Sequence, residues 1–405
     1  MNSMSNISFS QFSFSKLSCL SFLIFQFFSI AAQPSCSQDD PLLAVLIMVK
    51  NEEDVMERTL LPYLEAGLKH FLVLDTGSTD NTVEVSKQLF QAFDVHGFVI
   101  EQPFVDFSTS RNYAIDAAEE LFPKAKFFLM IDAEWYLNDV PGLLDFCKMF
   151  QHFPESAYLM CLHNNNFSKN YLCRLWKPRR GIRFEGVVHE YLNKIAYVSV
   201  PEKVYFNWDP TQRGVDKTHK RFYRDIELLL KEHEKHPRDP RTLFYLGQSY
   251  ACIEDYANAA YWYQKRTEIP VWDQEDFMTW YRLGDAYEHL DKWDDALYFY
   301  LKAYDMRPSR IEPLMKLANH YLKVLDFAKA FYFAKLAVDT PVTNDTLFVE
   351  RIVYDFDRYN ILGIAAWYVQ EYEIGEQAVL QALKHSPDAT HLHFNLSLYE
   401  GRKNN

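Results

Sequence analysis

Two carboxylates lie two residues apart in the stretch KFFLMIDAEWYL, namely Asp132 and Glu134. The apolar residues before them predict a buried strand, and residues i and i+2 of an extended segment point to the same side. Both carboxylates would then face one hard cation, Mg²⁺ or Mn²⁺, which takes one or two carboxylates together with substrate phosphates. Such a cation would stabilise a departing nucleoside diphosphate. The alternative is a solvated strand end with ordinary acidic residues.

A third carboxylate, Asp75, stands where the apolar run FLVL gives way to DTGSTDNT. Open α/β sheets bind ligands at the carboxyl ends of their strands, so Asp75 is a candidate hydrogen-bond acceptor for a ribose or a base. The alternative is a turn followed by a helix cap, built from Asp75, Ser78, Thr79 and Asp80. Capping accounts for Ser78 to Asp80, but on sequence grounds it does not require Asp75.

The elements that must position these residues alternate in type. The apolar run LLAVLIMVK is followed by helical spacing, then by HFLVLD, a second helical segment, HGFVIEQ, a third helical segment and KFFLMID. Strands and helices that alternate with short connections predict an α/β domain with a parallel sheet. Three further apolar runs, AYLMCLHNN, YLCRLWKP and YVSVPEKVYFNW, predict mixed strands that complete this domain.

From Lys217 onward the periodicity becomes helical and an internal repeat emerges. The repeated pattern is Leu-Gly-x-x-Tyr, followed by a small residue nine positions after the Tyr. It begins at Leu246 and recurs at Leu283, and looser copies begin at Leu317 and Leu362. A proline closes each unit. A period near 34 residues with this pattern resembles the tetratricopeptide repeat, in which small residues let two antiparallel helices approach. We predict four repeats, preceded by a helix over residues 220–234.

Composition and missing motifs exclude several classes of protein. The formal net charge of −13 argues against non-specific binding of nucleic acid, which needs a basic surface. The chain contains no phosphate loop of the G-x-x-x-x-G-K type, no G-x-G-x-x-G after a strand and no C-x-x-C pair. Nucleotide-binding folds that depend on those loops, and zinc ribbons, are therefore disfavoured.

The composition of the N-terminus predicts a targeting signal. Residues 17–30 form an apolar core that follows Lys16 and precedes two alanines, in the order of a secretory signal peptide. We predict export or a lumenal location, with a membrane anchor or a cytoplasmic location as alternatives. The predicted organisation is a signal or anchor at 1–32, a linker at 33–41, an α/β domain at 42–215 and a helical repeat domain at 216–400.

Four segments in order, LIMVKNEEDVMERTLLPYL, FLVLDTGSTDNTVEV, STSRNYAIDAA and FFLMIDAEW, resemble the family-two glycosyltransferases of GT-A fold. The later RLWKPRRGIRFEGVVHEYL resembles a segment of a subgroup that carries tetratricopeptide repeats. The resemblance implies a nucleotide-diphosphate sugar as donor, an acceptor that is a protein, glycan or lipid, and a possible protein partner on the repeats. The usual second Asp of the metal motif is Glu134 here, and Trp135 replaces a further acid.

Roles for individual residues follow from this resemblance. Asp75 is expected to contact the nucleoside, with Asn51 and Glu52 lining the same pocket. Arg111 stands where the family places a cation near the base or the diphosphate. Asp132 also belongs to the donor site.

The stretch FEGVVHEYL is the candidate source of the remaining groups. Its residue His189 is a candidate third metal ligand beside Asp132 and Glu134, and Glu185 or Glu190 is the candidate base that takes the proton of the acceptor. The alternative is that Glu185 and His189 are structural. Arg179, Arg180 and Arg183 either offset the charge of a diphosphate or form a solvated basic loop.

Three functions remain open from the sequence. The first is an inverting, metal-dependent glycosyltransferase whose repeats recruit or orient the acceptor. The second is a repeat-based interaction protein with a catalytically inactive transferase domain, which the altered metal motif and the signal-like N-terminus favour. The third is a nucleotidyltransferase, which would need a glycine-rich basic loop after the first strand.

Overall fold

The computed structural model describes residues 40–164, 168–194, 196–209 and 211–403. The predicted signal segment at 1–32 lies outside these residues, as does the predicted linker up to residue 39. Within the described ranges, no helix combines the length and the apolar character needed to cross a membrane.

The N-terminal half of the sheet is parallel, as predicted. Its strands are β1 (Leu43–Val49), β2 (His70–Asp75), β3 (His96–Glu101) and β4 (Phe127–Ile131), and they alternate with helices α1 (Met56–Glu65), α2 (Thr82–Ala92) and α3 (Phe107–Leu121). The spatial order is β3-β2-β1-β4. Because these strands are parallel, their carboxyl ends meet at one edge, where the loops after β1, β2 and β4 lie side by side.

The remaining strands extend the sheet in mixed directions. They are β5 (Trp135–Leu137), β6 (Ala157–Asn164), β7 (Ser168–Trp176), β8 (Phe184–Glu185), β9 (Tyr191–Leu192), β10 (Val198–Ser199) and β11 (Tyr205–Trp208), with helix α4 (Val140–Phe150) after β5. The order continues β4-β7-β6-β11-β5, β10 pairs with β6, and β8 with β9 forms a separate two-stranded sheet. Strand β7 is antiparallel to β4, and its Leu175 and Trp176 pair with Leu129 and Phe128 of β4.

Strand β1 shows why the apolar runs form central strands. Leu43, Val45 and Ile47 pack into the core on one face, and Ala44 and Leu46 pack into the core on the other. A strand that is buried on both faces has no polar side to alternate with, so it reads as a continuous apolar run.

The C-terminal half is entirely helical where it is described. A long helix, α5 (Gln212–Lys235), is followed by α6 (Pro240–Cys252), α7 (Tyr256–Thr267), α8 (Asp273–His289), α9 (Trp293–Met306), α10 (Glu312–Lys323), α11 (Phe327–Asp339), a π-helical turn (Val353–Asp357), α12 (Arg358–Tyr368), α13 (Tyr372–His385) and α14 (Thr390–Lys403). Helices α6 to α13 form the four pairs expected from the repeat pattern. Helix α5 runs across the domain boundary that the sequence predicts at residues 215–216.

The repeat glycines lie where two helices cross. A Cβ on Gly247 would approach the ring of Tyr263 to 2.6 Å, and one on Gly284 would approach the ring of Tyr300 to 2.7 Å. Because both tyrosines are fully buried, the rings have no room to move away. The glycines therefore permit the close helix packing that the repeat pattern predicts.

Candidate active site

A cavity of about 690 Å³ lies at the carboxyl ends of β1, β2 and β4, where the sequence predicts a ligand site. Helix α5 also contributes to its wall. The lining residues are Met48, Val49, Lys50, Asn51, Glu52, Thr76, Phe104, Phe107, Arg111, Asp132, Ala133, Glu134, Trp135, Leu162, Trp208, Lys220, Arg221 and Arg224. The volume is within the range of small-molecule sites.

The loops after β1 and β2 are fastened to each other. The side-chain oxygen of Asn51 accepts a hydrogen bond from the Thr79 amide at 2.7 Å, and the Asn51 amide donates to Ser78 Oγ at 2.8 Å. The Glu52 amide donates to Thr82 Oγ1 at 2.7 Å. Asn51 has a positive φ of 55°, which Asn tolerates better than most residues. Asn51 and Glu52 line the cavity as predicted, and Asn51 also builds its wall.

Asp75 organises the turn after β2. Its Oδ2 accepts hydrogen bonds from the amides of Gly77 at 3.1 Å and Ser78 at 3.0 Å, and its Oδ1 accepts one from the Ser78 hydroxyl. The side chain is 2% exposed. The sequence-based inference that the turn does not require Asp75 is therefore wrong. Thr76, the next residue, lines the cavity, and a nucleoside contact for Asp75 stays a prediction.

Asp132 is held by two arginines. Arg111 Nη2 lies 2.6 Å from Asp132 Oδ1, and Arg174 Nη2 lies 3.1 Å from Asp132 Oδ2. Both arginines also face Glu190, whose Oε1 lies 2.6 Å from Arg111 Nε and 3.9 Å from Arg174 Nη2. Two carboxylates and two guanidinium groups thus form one ion-pair network at the cavity floor.

Burial and charge shift the pKa values of this network. Burial opposes the charged form of Arg111, but Asp132 and Glu190 outweigh that cost and raise its pKa above the usual value. Burial likewise opposes the charge of Asp132, yet Arg111 and Arg174 lower the pKa of its carboxyl. Among the described residues, Nη1 of Arg111 and Nη1 of Arg174 are buried without a hydrogen-bond partner. The network therefore retains N–H groups that can donate hydrogen bonds to a ligand.

The segment from Asp132 to Glu134 is a turn, so the extended geometry predicted for it is wrong. The Trp135 amide donates to the Asp132 carbonyl at 3.3 Å, and Glu134 has a positive φ of 66°. The Glu134 carboxylate accepts hydrogen bonds from the amide and the hydroxyl of Thr211, each at 2.7 Å. Thr211 directly precedes helix α5, where a carboxylate is favourable. Glu134 therefore anchors the start of this helix.

His189 lies away from the two carboxylates, against the first repeat. Its ring stacks on Tyr245 of α6 with 4.1 Å between centroids, and Arg241 donates to its carbonyl at 2.5 Å. Burial, followed by the charge of Arg221, lowers the pKa of His189 to about 4. His189 is therefore neutral at physiological pH, and its Nε2 is buried without a hydrogen-bond partner in the described part of the chain.

These contacts test whether the predicted ligands fit a divalent cation. Asp132 is paired with two guanidinium groups, Glu134 binds Thr211, and His189 lies outside the cavity lining. In the described ranges, no group of three or more His, Cys, Asp or Glu side chains is placed to hold a metal ion. The predicted set of Asp132, Glu134 and His189 therefore does not fit a metal ion in this arrangement.

The two candidate bases have different surroundings. Glu190 belongs to the arginine network, with a side chain that is 9% exposed. Glu185 is exposed and accepts a hydrogen bond from the Tyr191 hydroxyl at 3.1 Å. Tyr191 lines a second cavity of about 1050 Å³ between the α/β domain and helices α5 and α6. Glu185 therefore adjoins the groove between the domains.

The basic loop of the sequence lies on the surface of α3. Arg183 pairs with Asp116 at 2.8 Å, and the Arg179 side chain donates to the Glu119 carbonyl at 2.6 Å. Neither arginine lines the 690 Å³ cavity, and neither does the exposed Arg180. The alternative of a solvated basic loop fits these contacts better than a diphosphate site.

Sequence reasoning missed four cations near the cavity. Arg174 on β7 belongs to the network, and Lys220, Arg221 and Arg224 reach the cavity from α5. A signal for the last three is present, because K-R-x-x-R places three cations on neighbouring positions of one helical turn. The sequence assigns this helix to the repeat domain, ahead of the four repeats, and gives no reason to connect its cations with the donor site.

Asp225 on α5 provides a pH-dependent test of this region. Burial raises the pKa of its carboxyl to about 6, although Arg221 and Arg224 act in the opposite direction and Glu190 adds to the rise. The folded protein then keeps a proton that the unfolded chain releases near pH 4, so this contribution to stability is full below pH 4 and lost as the pH rises to about 6. His189 has the opposite sign, because its lowered pKa favours the folded state at higher pH.

We therefore expect Asp225→Asn to gain stability relative to the wild type by about 3 kcal/mol as the pH rises from 4 to 7. Urea unfolding of both proteins at several pH values gives the difference between their free energies of unfolding. Because both proteins contain His189, its contribution cancels in this difference. Asp294→Asn, on an exposed position of α9, is the control for the removal of a surface carboxylate. A pH-independent difference for Asp225→Asn would contradict the assignment.

Comparison with known proteins agrees with an α/β domain followed by helical repeats. Residues 44–146 match the family model described as glycosyl transferase family 2, and residues 272–311 match the tetratricopeptide repeat. A comparison with curated protein sequences gives no match. The chain therefore carries a family-two glycosyltransferase domain of GT-A fold followed by C-terminal tetratricopeptide repeats.

Three solved structures are similar to this chain over less than half of its length. One is the C-terminal part of a repeat-containing protein from Cytophaga hutchinsonii, with 15% identity over 47% of this chain and 71% of that chain and a TM-score of 0.38. PilF of Pseudomonas aeruginosa has 13% identity over 44% and 72%, with a TM-score of 0.34. YrrB, a repeat protein with an unusual peptide-binding site, has 14% identity over 44% and 86%, with a TM-score of 0.34.

Proposed function

We propose that this protein is an inverting glycosyltransferase that moves a sugar from a nucleotide-diphosphate sugar to an acceptor. The observation that carries the proposal is the 690 Å³ cavity, because Asn51, Glu52, Arg111, Asp132 and Glu134 all line it. These residues come from three separate motifs that resemble the family, and they lie where parallel α/β sheets bind ligands.

Inversion needs a single displacement at the anomeric carbon, in which the acceptor oxygen attacks as the nucleoside diphosphate leaves on the opposite side. A base must take the acceptor proton. Of the two candidates, the contacts favour Glu185, because Glu190 already bridges two guanidinium groups at the cavity floor. Glu185 adjoins the second cavity, which offers space for an acceptor between the transferase domain and the repeats.

A divalent cation stays a prediction of the family resemblance. Family-two glycosyltransferases often use Mg²⁺ or Mn²⁺, but Asp132, Glu134 and His189 do not meet around one point. No step of the proposed reaction is therefore assigned to a metal.

The acceptor is proposed to be a protein, a glycan or a lipid, with the repeats orienting it or binding a protein partner. The 1050 Å³ cavity supports this role, since its lining combines Asp106, Ser108 and Thr109 of the transferase domain with Arg238 and Arg241 at the start of the first repeat. Export or a lumenal location is proposed from the N-terminal signal segment.

A catalytically inactive transferase-like domain in an interaction protein is the second candidate. The observation that favours it is the pairing of both Asp132 oxygens with Arg111 and Arg174. In this case the network would be a structural element that replaces a functional metal site.

Thermal melting with nucleotides tests the proposal. We expect one of UDP, GDP, CDP, ADP and dTDP, or a corresponding sugar nucleotide, to raise Tm, because a ligand at 100 times its Kd stabilises the folded state by about 2.7 kcal/mol. Each melt is repeated with Mn²⁺ and with EDTA. The enzyme proposal would be overturned if no nucleotide changed Tm under either condition. A shift without any donor hydrolysis or transfer would favour the inactive alternative.

A further inference from the structure

We propose that helix α5, the helix that leads into the repeats, supplies the diphosphate-binding part of the donor site through Lys220, Arg221 and Arg224. This inference rests on the proposed function, because it assigns a ligand group to part of the same cavity. It gives the repeat half of the chain a role in binding the donor, besides any role in binding an acceptor.

The first argument is position. Lys220, Arg221 and Arg224 line the cavity together with Arg111 and Asp132, which lie on the transferase side. Positions 220, 221 and 224 of a helix share one face, so the three side chains form one cationic wall. The charge of Arg221 also contributes, after Arg111 and Arg174, to the lowered pKa of the Asp132 carboxyl.

The second argument is charge. Five cationic side chains and three anionic side chains line the cavity, although the whole chain has a net charge of −13. The cations are Lys50, Arg111, Lys220, Arg221 and Arg224, and the anions are Glu52, Asp132 and Glu134. The excess of two positive charges matches the two negative charges of a nucleotide-diphosphate sugar. Like charges close together repel, and an anion bound between them removes that cost.

The third argument is hydrogen-bonding capacity. In the described part of the chain, Nε of Arg221 has only an ion pair with Asp225 Oδ2 at 3.4 Å, and Nε of Arg224 is buried and has no hydrogen-bond partner. The same holds for Nη1 of Arg111, whose side chain is only 5% exposed. Buried donors without partners are costly. Phosphate oxygens accept hydrogen bonds from guanidinium groups in strong, charge-assisted geometry.

The fourth argument is that the cationic wall is held in place. Glu134 binds Thr211 at the start of α5, and the Arg224 guanidinium lies 4.6 Å from the centre of the Phe104 ring. Arg221 lies within 3.4 Å of Asp225 on the next turn. The helix is therefore fixed to the transferase domain, so the cations are positioned before a ligand binds.

Calorimetric binding of nucleotides tests this inference. The probes are UDP, GDP, CDP, ADP and dTDP, the matching nucleosides, and inorganic pyrophosphate as a competitor. The variants are Arg221→Ala, Arg224→Ala and the double variant. Lys231→Ala, an exposed cation on the same helix outside the cavity lining, is the matched control. Circular dichroism verifies that each variant is folded, and Arg221→Gln with Lys220→Gln is the second set if an alanine variant is unfolded.

We expect each single variant to bind the nucleoside diphosphate about tenfold more weakly, because each loses a hydrogen bond to a charged group. Binding of the matching nucleoside and the affinity of Lys231→Ala for the diphosphate should change by less than about twofold. Pyrophosphate should compete in the wild type and lose its effect in the double variant. The salt dependence of diphosphate binding should also become weaker in the double variant.

The outcomes separate this inference from the proposed function. If the wild type binds a nucleoside diphosphate and the folded variants bind it equally well, the inference is wrong and the proposed function stands. An equal loss of nucleoside and diphosphate binding would also overturn it, since the variants would then have disturbed the whole cavity. If the wild type binds none of the five diphosphates, with or without Mn²⁺, the proposed function fails and the inference fails with it.

Discussion

Replacing Arg111 by Leu is expected to lower the free energy of unfolding by about 3 kcal/mol, the low end for a broken buried ion pair, because it leaves the 9% exposed Glu190 and the 27% exposed Asp132 without their main partner. Arg111 is the only residue in the described chain that lies within 2.6 Å of both Asp132 and Glu190. Arg174 reaches the same carboxylates at 3.1 and 3.9 Å, which compensates their charge less well. The loss therefore comes from charge left unpaired in a buried site, and only partly from lost packing.

Urea unfolding at pH 7 measures this loss. Arg58→Leu is the matched control, because Arg58 pairs with Asp209 at 2.7 Å while both side chains are more than half exposed. An exposed pair contributes about 0–1 kcal/mol, so the control should change stability little. Arg111→Lys should recover only part of the loss, since one ammonium group cannot span two carboxylates as a guanidinium fork does.

A double variant distinguishes unpaired charge from lost packing. Combining Arg111→Leu with Glu190→Leu removes one of the unpaired charges and should restore part of the stability. If the double variant is less stable by the full sum of the two single effects, the network does not operate as a coupled unit. An Arg111→Leu variant within 1 kcal/mol of the wild type would equally contradict the prediction.

The sequence predicts those parts of the fold whose signals are local. Strand β1 is a run of apolar residues that the sheet buries on both faces, so its burial is visible in any short window of sequence. The signal of the repeat glycines is equally local. Gly247 precedes Tyr263 by the same number of residues as Gly284 precedes Tyr300, and each glycine packs against the ring of its tyrosine. In both cases the residue pattern and the contact that explains it lie within one or two elements.

The geometry of the site depends instead on contacts between distant segments. Glu134 binds Thr211, 77 residues further along the chain, and Arg111 binds Glu190, 79 residues further along. An isolated D-x-E after a strand looks like a metal motif, and nothing local shows that its turn is left-handed at Glu134. The position of α5 beside the cavity is likewise a tertiary feature. In the sequence alone, its three cations are therefore indistinguishable from those of an ordinary helix surface.

Replacing Asp132 by Ala is expected to lower the rate of sugar transfer or donor hydrolysis by about 100- to 1,000-fold, the usual effect of losing a preorganised charged group. The Asp132 carboxylate holds one guanidinium on each oxygen, so its loss releases Arg174 and also Arg111, which lines the cavity. The rate is measured with the donor that raises Tm in the melting experiment. Asp132→Asn keeps the shape of the side chain but not its charge, so its rate should lie between those of the wild type and Asp132→Ala. Full activity in Asp132→Ala would show that this carboxylate has no part in the reaction.

Variants of Glu134 distinguish a metal-binding site at Asp132 and Glu134 from the arrangement in the structure, in which Glu134 anchors α5. As a metal ligand it would need its charge, so Glu134→Gln would lose activity as severely as Asp132→Ala. As the anchor of α5 it needs only an oxygen that accepts hydrogen bonds from Thr211, which the glutamine amide also provides. The contacts favour the anchor, so we expect Glu134→Gln to keep activity within about threefold, and Glu134→Ala to lose about tenfold or more. Thr211→Val, which removes one of the two donors, should follow Glu134→Ala in direction, whereas a metal-ligand role gives no reason for it to do so.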